Sequence, residues 1–128
     1  MLDTLHIIPT SSGISLHRII QLDAPPPIER LINAVGGPIK LIPGFDSILR
    51  QGEIKPCLAF FSQVQRSNQE QNTWANLLWL QALVRKYGFS EAKTPLTITG
   101  LVAVVWGDTL LLKNLDPLVA FLNQEEQR

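Results

Sequence analysis

The two imidazoles of the sequence, His6 and His17, occupy the two arms of a predicted β-hairpin. They face each other directly if residues 11–12 form the two-residue turn, and they do not if residues 12–13 form it. A facing pair could ligate a metal, but a metal site normally takes three or four protein ligands, and Asp3 is the only further candidate nearby. We therefore expect ordinary sheet residues here, with no metal and no other cofactor.

Asn72 and Asn76 are spaced one turn apart at the start of the second predicted helix. Their side chains, with the free N–H groups of a helix N-terminus, could bind an anion or an amide, and His17 is the third candidate ligand-binding residue. The competing interpretation, which we favour, is that Asn72 caps the helix and Asn76 is solvated. Replacing a residue that only caps by alanine costs about 1 kcal/mol.

Residue patterns typical of enzymes are few. Cys57 is surrounded by apolar residues, which predicts a buried thiol of raised pKa rather than a nucleophile. Gly36 and Gly37 follow a predicted helix instead of opening one, so they do not form a phosphate-binding loop. A hydrolase built on His17 and neighbouring serines lacks the usual nucleophile motif. The sequence leaves enzymatic activity uncertain and favours a protein without catalysis of its own.

The first half of the chain predicts a hairpin, a short helix and two strands. Apolar residues at 5–8 and 14–22 flank a turn-forming segment, and a triple proline at 25–27 ends the second arm. Ile28, Leu31, Ile32 and Val35 form one helical stripe that ends at the glycines before Pro38. Strands follow at 39–42 and 57–61, and the mixed segment 45–55 is predicted to be a loop.

The second helix is predicted over residues 73–87, with Asn72 as its N-cap and Gly88 as its C-cap. Ser67 competes as the N-cap. Apolar residues cover most of the circumference of this helix, so we expect it to be buried on more than one side or to lie at a subunit contact. This pattern predicts a homo-oligomer or a protein partner.

The last third of the chain returns to β structure. A strand at 96–106, a turn at Gly107-Asp108 and a strand at 109–113 precede a short C-terminal helix that begins at Asp116. The order of elements indicates an α+β fold in one domain, residues 1–128. We expect a mostly antiparallel sheet of five to six strands with two main helices and the short C-terminal helix, the helices lying on one side.

Three short motifs resemble a small uncharacterised family found in phage, plasmid and bacterial proteins. They are Val35-Gly36-Gly37 before an apolar strand, Asn72 three residues before Ala75, and the segment from Gly100 through the valines to Gly107. The resemblance covers about two-thirds of the chain, and departs from the family between residues 57 and 72, where the family is acidic and glycine-rich. It implies the fold and a mobile-element setting, without an activity.

The composition excludes some classes of partner. Eleven Lys plus Arg balance eleven Asp plus Glu, so no polyanion-binding surface is indicated and we expect no nucleic acid. The strongest apolar stretch, residues 96–106, is far shorter than the roughly 20 residues of a membrane-spanning helix, so no membrane contact is expected. Asp3 stands where a signal peptide would carry basic residues, which favours a cytoplasmic protein.

Taken together, these patterns predict a non-catalytic interaction or accessory protein that acts through protein–protein contact. The alternative is a small-molecule binding domain with its pocket near the start of the second helix.

Overall fold

The computed structural model describes residues 3–10, 17–22, 28–63, 70–94 and 97–107. In chain order, the elements in these residues are β1 (Asp3–Ile8), β2 (Arg18–Leu22), α1 (Ile28–Val35), β3 (Ile39–Leu41), β4 (Ser47–Arg50), β5 (Glu53–Ser62), α2 (Thr73–Tyr87) and β6 (Val102–Trp106). The predicted turn at 107–108, the strand at 109–113, the C-terminal helix and the triple proline lie outside the described residues.

The described strands form one six-stranded sheet in the order β2-β1-β6-β5-β3, and β4 pairs with the part of β5 that precedes its contact with β3. Every pairing is antiparallel. The predicted α+β class, with a mostly antiparallel sheet and two main helices, is confirmed. The central strand β6 is buried along its whole length, in keeping with its sequence Val-Ala-Val-Val-Trp.

The two helices lie on opposite faces of this sheet. Val104 packs in one apolar cluster with Trp79 of α2, whereas its neighbour Val105 packs in another with Leu31 of α1. Successive strand residues point to opposite faces, so a strand that is apolar at every position needs cover on both. The prediction that the helices lie on one side of the sheet is therefore wrong.

The segment predicted to be a loop, residues 45–55, is largely a β-hairpin. It contains β4 and the start of β5, joined by a two-residue turn in which Gln51 has φ 52° and Gly52 has φ 80°. Two positive φ values in a row suit the twist of a hairpin, and glycine adopts the second without strain. The buried Ile48 attaches this hairpin to the core under α2.

Helix α2 begins and ends where the sequence predicts, at Asn72 and Gly88. The competing cap, Ser67, lies outside the described residues. Only one face of α2 is buried within the chain, and its fully or nearly buried residues are Ala75, Trp79, Ala82 and Leu83. Among the described residues, the expectation of burial on more than one side is not met, and a subunit contact remains a prediction.

Candidate functional site

Asn72 ties three segments together at the start of α2. Its side-chain oxygen accepts a hydrogen bond from the backbone N–H of Ala75 at 3.0 Å, which confirms the predicted cap. Its side-chain nitrogen donates to the carbonyls of Ile8 and Gly100, both at 2.9 Å. The residue has no exposed surface. Asn72 therefore fixes the helix to the end of β1 and to the segment that leads into β6.

Asn76 holds the same segment one turn further along. Its side chain donates to the carbonyl of Ile98 at 3.0 Å and accepts from the N–H of Ile98 at 3.0 Å. It also donates to the carbonyl of Asn72 at 2.7 Å. The expectation that Asn76 is solvated is therefore wrong. Ligand binding by the two asparagines remains a hypothesis, and a ligand would have to replace these bonds.

His17 lies against His6 although the two residues are not opposite each other in the ladder. The register pairs His6 with Ile19, as a turn at 12–13 predicts. Even so, His6 Nε2 and His17 Nδ1 are 2.8 Å apart, a hydrogen bond in which one ring donates and the other accepts. Diagonal neighbours on one face of a sheet are within reach of long or aromatic side chains.

His6 is only 2% exposed, and its Nδ1 has no hydrogen-bond partner among the described residues. Burial lowers the pKa of His6 to about 4, and the nearby His17 and the positive charge of Arg50 act in the same direction. The ring is therefore neutral at pH 7. A neutral imidazole behind a second ring suits a structural contact better than proton exchange with solvent.

A row of ring contacts runs from β4 to the start of α2 through the two histidines. The Arg50 guanidinium lies 5.2 Å from the centre of the Trp106 ring, and Trp106 meets His6 edge-on at 5.7 Å. At the other end, His17 meets Trp74 edge-on at 5.8 Å. This row could not be predicted from the sequence because it depends on the order of strands in the sheet.

Cys57 is buried as predicted. Its Sγ donates a long hydrogen bond of 3.7 Å to the carbonyl of Phe45. Burial raises the pKa of the thiol well above its usual range, and the negative charge of Asp46 acts in the same direction. A protonated, enclosed thiol is a poor nucleophile.

The outer face of α2 carries large apolar side chains in contact with solvent. Trp74 is 52% exposed and Leu77 is 48% exposed, and Leu80 and Tyr87 are also exposed. Leu83, in contrast, is buried against the sheet, so it cannot belong to the same surface.

An open cleft of about 270 Å³ adjoins the first half of α2. It is lined by Gln71, Thr73, Asn76, Leu77, Leu80, Thr94 and Thr97. This is the region in which the sequence predicts a small-molecule pocket. The described lining combines hydroxyl and amide groups with two leucines, and none of these residues is charged.

The described residues contain neither a metal-binding cluster nor a membrane-spanning helix. No group of three or more His, Cys, Asp or Glu among the described residues is arranged to hold a metal ion. Neither described helix has the length and apolar character needed to cross a bilayer. Comparison with protein-family models, curated proteins and solved structures finds no match for this chain.

Proposed function

We propose that this chain is a non-catalytic interaction or accessory protein, and that it acts through contact between the outer face of α2 and a second copy of the same face. The observation that carries this proposal is the row of half-exposed apolar side chains along α2. An exposed apolar surface of this kind is typical of a protein interaction site. A mobile-element setting belongs to the proposal through the family resemblance alone.

The spacing of the exposed side chains favours a helix as the partner. Thr73, Leu77, Leu80, Val84 and Tyr87 follow one another at intervals of four and three residues; we call this row the outer seam. The average of 3.5 residues is the repeat with which one helix packs along another. The outer seam extends about 21 Å, at 1.5 Å per residue.

The chemistry of the outer seam favours a second copy over an unrelated protein. The seam carries no charged residue, and the whole chain has no net charge, so two copies meet without repulsion. An antiparallel arrangement also places each helix N-terminus beside the C-terminus of its partner, which is favourable for the helix dipoles. An isologous contact of this type needs only one self-complementary surface.

The apolar area exposed on α2 determines how tightly two copies are expected to bind. Tyr87 of the outer seam and Trp74, which flanks the seam beside Thr73, are each about half exposed and offer roughly 100 Å² apiece. With the leucines, the apolar area reaches on the order of 300 Å² per copy, below the roughly 800 Å² per partner of a standard interface. The remainder comes from the polar rim, so we expect a dimer of about micromolar affinity rather than an obligate one.

The test is the solution mass of the protein and of a matched pair of variants over a range of concentrations. Leu77→Glu introduces a good helix former but places one carboxylate from each copy in the apolar contact. We expect this change to weaken the dimer by at least about 30-fold, or 2 kcal/mol. Leu49→Glu is the control, because Leu49 is 51% exposed on the β4 hairpin and does not belong to the outer seam. A protein that is monomeric at tens of micromolar refutes the proposal, as does a dimer that Leu49→Glu disrupts and Leu77→Glu does not.

A small-molecule binding function is the second candidate, supported by the cleft beside Asn76 and Leu80. Its test is the intact native mass of the purified protein. A monomer that carries a discrete small mass favours this candidate, whereas a dimer without added mass favours the interaction. Addition of the released molecule should then raise the melting temperature.

A further inference from the structure

We propose that the face of the sheet under α1 carries a second site, which binds a small carboxylate with a compact apolar body. Arg18 and Arg30 bind the carboxylate in this site. The site is on the opposite face of the sheet from the outer seam, so it can be tested independently of the proposed dimer.

The fold brings the two arginines to one place from different elements. Arg18 is the partner of Ile7 in the β1–β2 ladder. Ile7 belongs to the apolar cluster under α1, so Arg18 extends on that face. On α1, Arg30 shares one side of the helix with Asn33 and Ala34, at spacings of three and four residues.

The space between these elements is a cleft of about 150 Å³. Its lining consists of Leu5, Ile7, Arg18, Ile20, Arg30, Asn33 and Ala34. Four of these residues are apolar, and the polar groups are two guanidinium ions and one amide. None of the described residues that line the cleft is acidic.

The positive charges in the cleft have no counter-charge among the described residues. Neither guanidinium has a hydrogen-bond or ion-pair partner within the part of the chain that the structure describes. Glu29 adjoins Arg30 in sequence, but adjacent helical residues point in different directions. Two like charges at one cleft repel each other, and an anion between them removes that cost.

The residue types identify the class of anion. Arginine binds a carboxylate through two parallel hydrogen bonds, and Asn33 supplies a neutral donor beside them. The four apolar residues of the lining suit a hydrocarbon body. The cleft is open, and its volume is about that of a site that holds benzene.

Benzoate is the probe, because it combines a carboxylate with a benzene ring. A titration followed by amide chemical shifts should show saturable changes confined to α1, β1 and β2. Benzamide, which has the same shape without the charge, should bind at least about tenfold more weakly, since a charge-assisted pair is lost. Inorganic phosphate should also bind at least about tenfold more weakly, because it does not use the apolar lining.

Two variants locate the site and two serve as controls, and the same spectra report whether each is folded. Arg18→Gln and Arg30→Gln should each weaken benzoate binding by about tenfold or more. Lys93→Gln removes one positive charge outside the cleft and should leave the affinity within about twofold. Leu77→Glu should also leave it unchanged, so that failure of the dimer does not affect this result.

The proposal is overturned by any of three results. The first is the absence of saturable shifts at tens of millimolar benzoate. The second is equal binding of benzoate and benzamide, and the third is full affinity in folded Arg18→Gln and Arg30→Gln variants.

Discussion

Replacing Asn72 by serine separates its capping role from its hold on two distant carbonyls. A serine hydroxyl can still accept the hydrogen bond from the Ala75 N–H. It cannot supply the two amide hydrogens that reach Ile8 and Gly100. Asn72→Ser therefore keeps the cap and removes the ties to the strands, whereas Asn72→Ala removes both.

The contacts allow the two effects to be estimated. Each lost donor costs about 1 kcal/mol, because the carbonyl it leaves behind is shielded from water. The cap contributes about 1 kcal/mol more. We expect Asn72→Ser to lower the free energy of unfolding by about 2 kcal/mol and Asn72→Ala by about 3 kcal/mol. A residue that only caps would give about zero for serine and about 1 kcal/mol for alanine.

Urea unfolding followed by circular dichroism measures the difference. With a slope of about 1–3 kcal/mol per molar urea, a loss of 2 kcal/mol moves the midpoint by about 1 M. Asn33→Ala is the control, since Asn33 is an exposed asparagine of α1, and its midpoint should remain close to that of the wild type. A serine variant within about 0.5 kcal/mol of the wild type would refute the role assigned to the two carbonyl contacts.

Two further predictions concern His6 and a close-packed glycine. His6 takes up its proton near pH 6.5 in the unfolded chain but only near pH 4 in the folded protein, so acid favours the unfolded chain. Between these pH values, the free energy of unfolding of the wild type should fall by up to about 3 kcal/mol relative to His6→Gln. Urea unfolding at pH 7 and pH 4 measures this loss, and parallel pH profiles for the two proteins would exclude this role. In Gly44→Ala, the new Cβ would lie 2.6 Å from Leu83 Cδ2, whereas at Gly36 it would meet nothing within 4 Å. Both glycines have positive φ, so the backbone strain of an alanine is similar at the two positions and the contact with Leu83 makes the difference. Gly44→Ala should therefore be more destabilising than Gly36→Ala by about 1 kcal/mol or more in thermal unfolding. Equal losses of stability would mean that Leu83 moves aside freely.

The parts of the fold that depend on neighbours in sequence could be predicted. Helix α1 ends at the glycines after Val35, and α2 begins at Asn72 and ends at Gly88, because caps and breakers act over one helical turn. The first hairpin and the buried run in β5 follow equally from local patterns.

The parts that depend on distant residues could not. The β4–β5 hairpin was missed because Gln51-Gly52 is a weaker turn signal than Asn-Gly and the polar residues of β4 hide its alternation. Asn76 was expected to be solvated because nothing near it in sequence indicates that Ile98 would lie alongside. The charge of Arg50 near His6 likewise depends on the path of the sheet.

In the candidate site, the polar residues themselves could be predicted from the sequence, but the distant groups that they contact could not. The types and spacing of Asn72, Asn76 and His17 drew attention to the start of α2, and all three make contacts at or beside that end of the helix. Their partners, however, are backbone groups and rings supplied by other segments. Residue type therefore indicated where polar contacts would concentrate, but not whether their partners would be internal.

Helix α2 is attached to the rest of the protein along its length, which fixes the outer seam in place before a partner binds. Asn72 holds one end of the helix, Trp79 donates from its ring nitrogen to the Pro43 carbonyl at 2.9 Å, and Lys86 pairs with Asp46 at 2.8 Å near the other end. These contacts approach from the sheet side, and no other described segment covers the apolar side chains on the opposite side. A helix fixed along its length loses little conformational freedom when a partner binds, so a modest apolar area can suffice for association. Loosening the helix through Asn72→Ser should therefore weaken the dimer even though Asn72 is buried and does not belong to the outer seam, whereas Asn33→Ala should not.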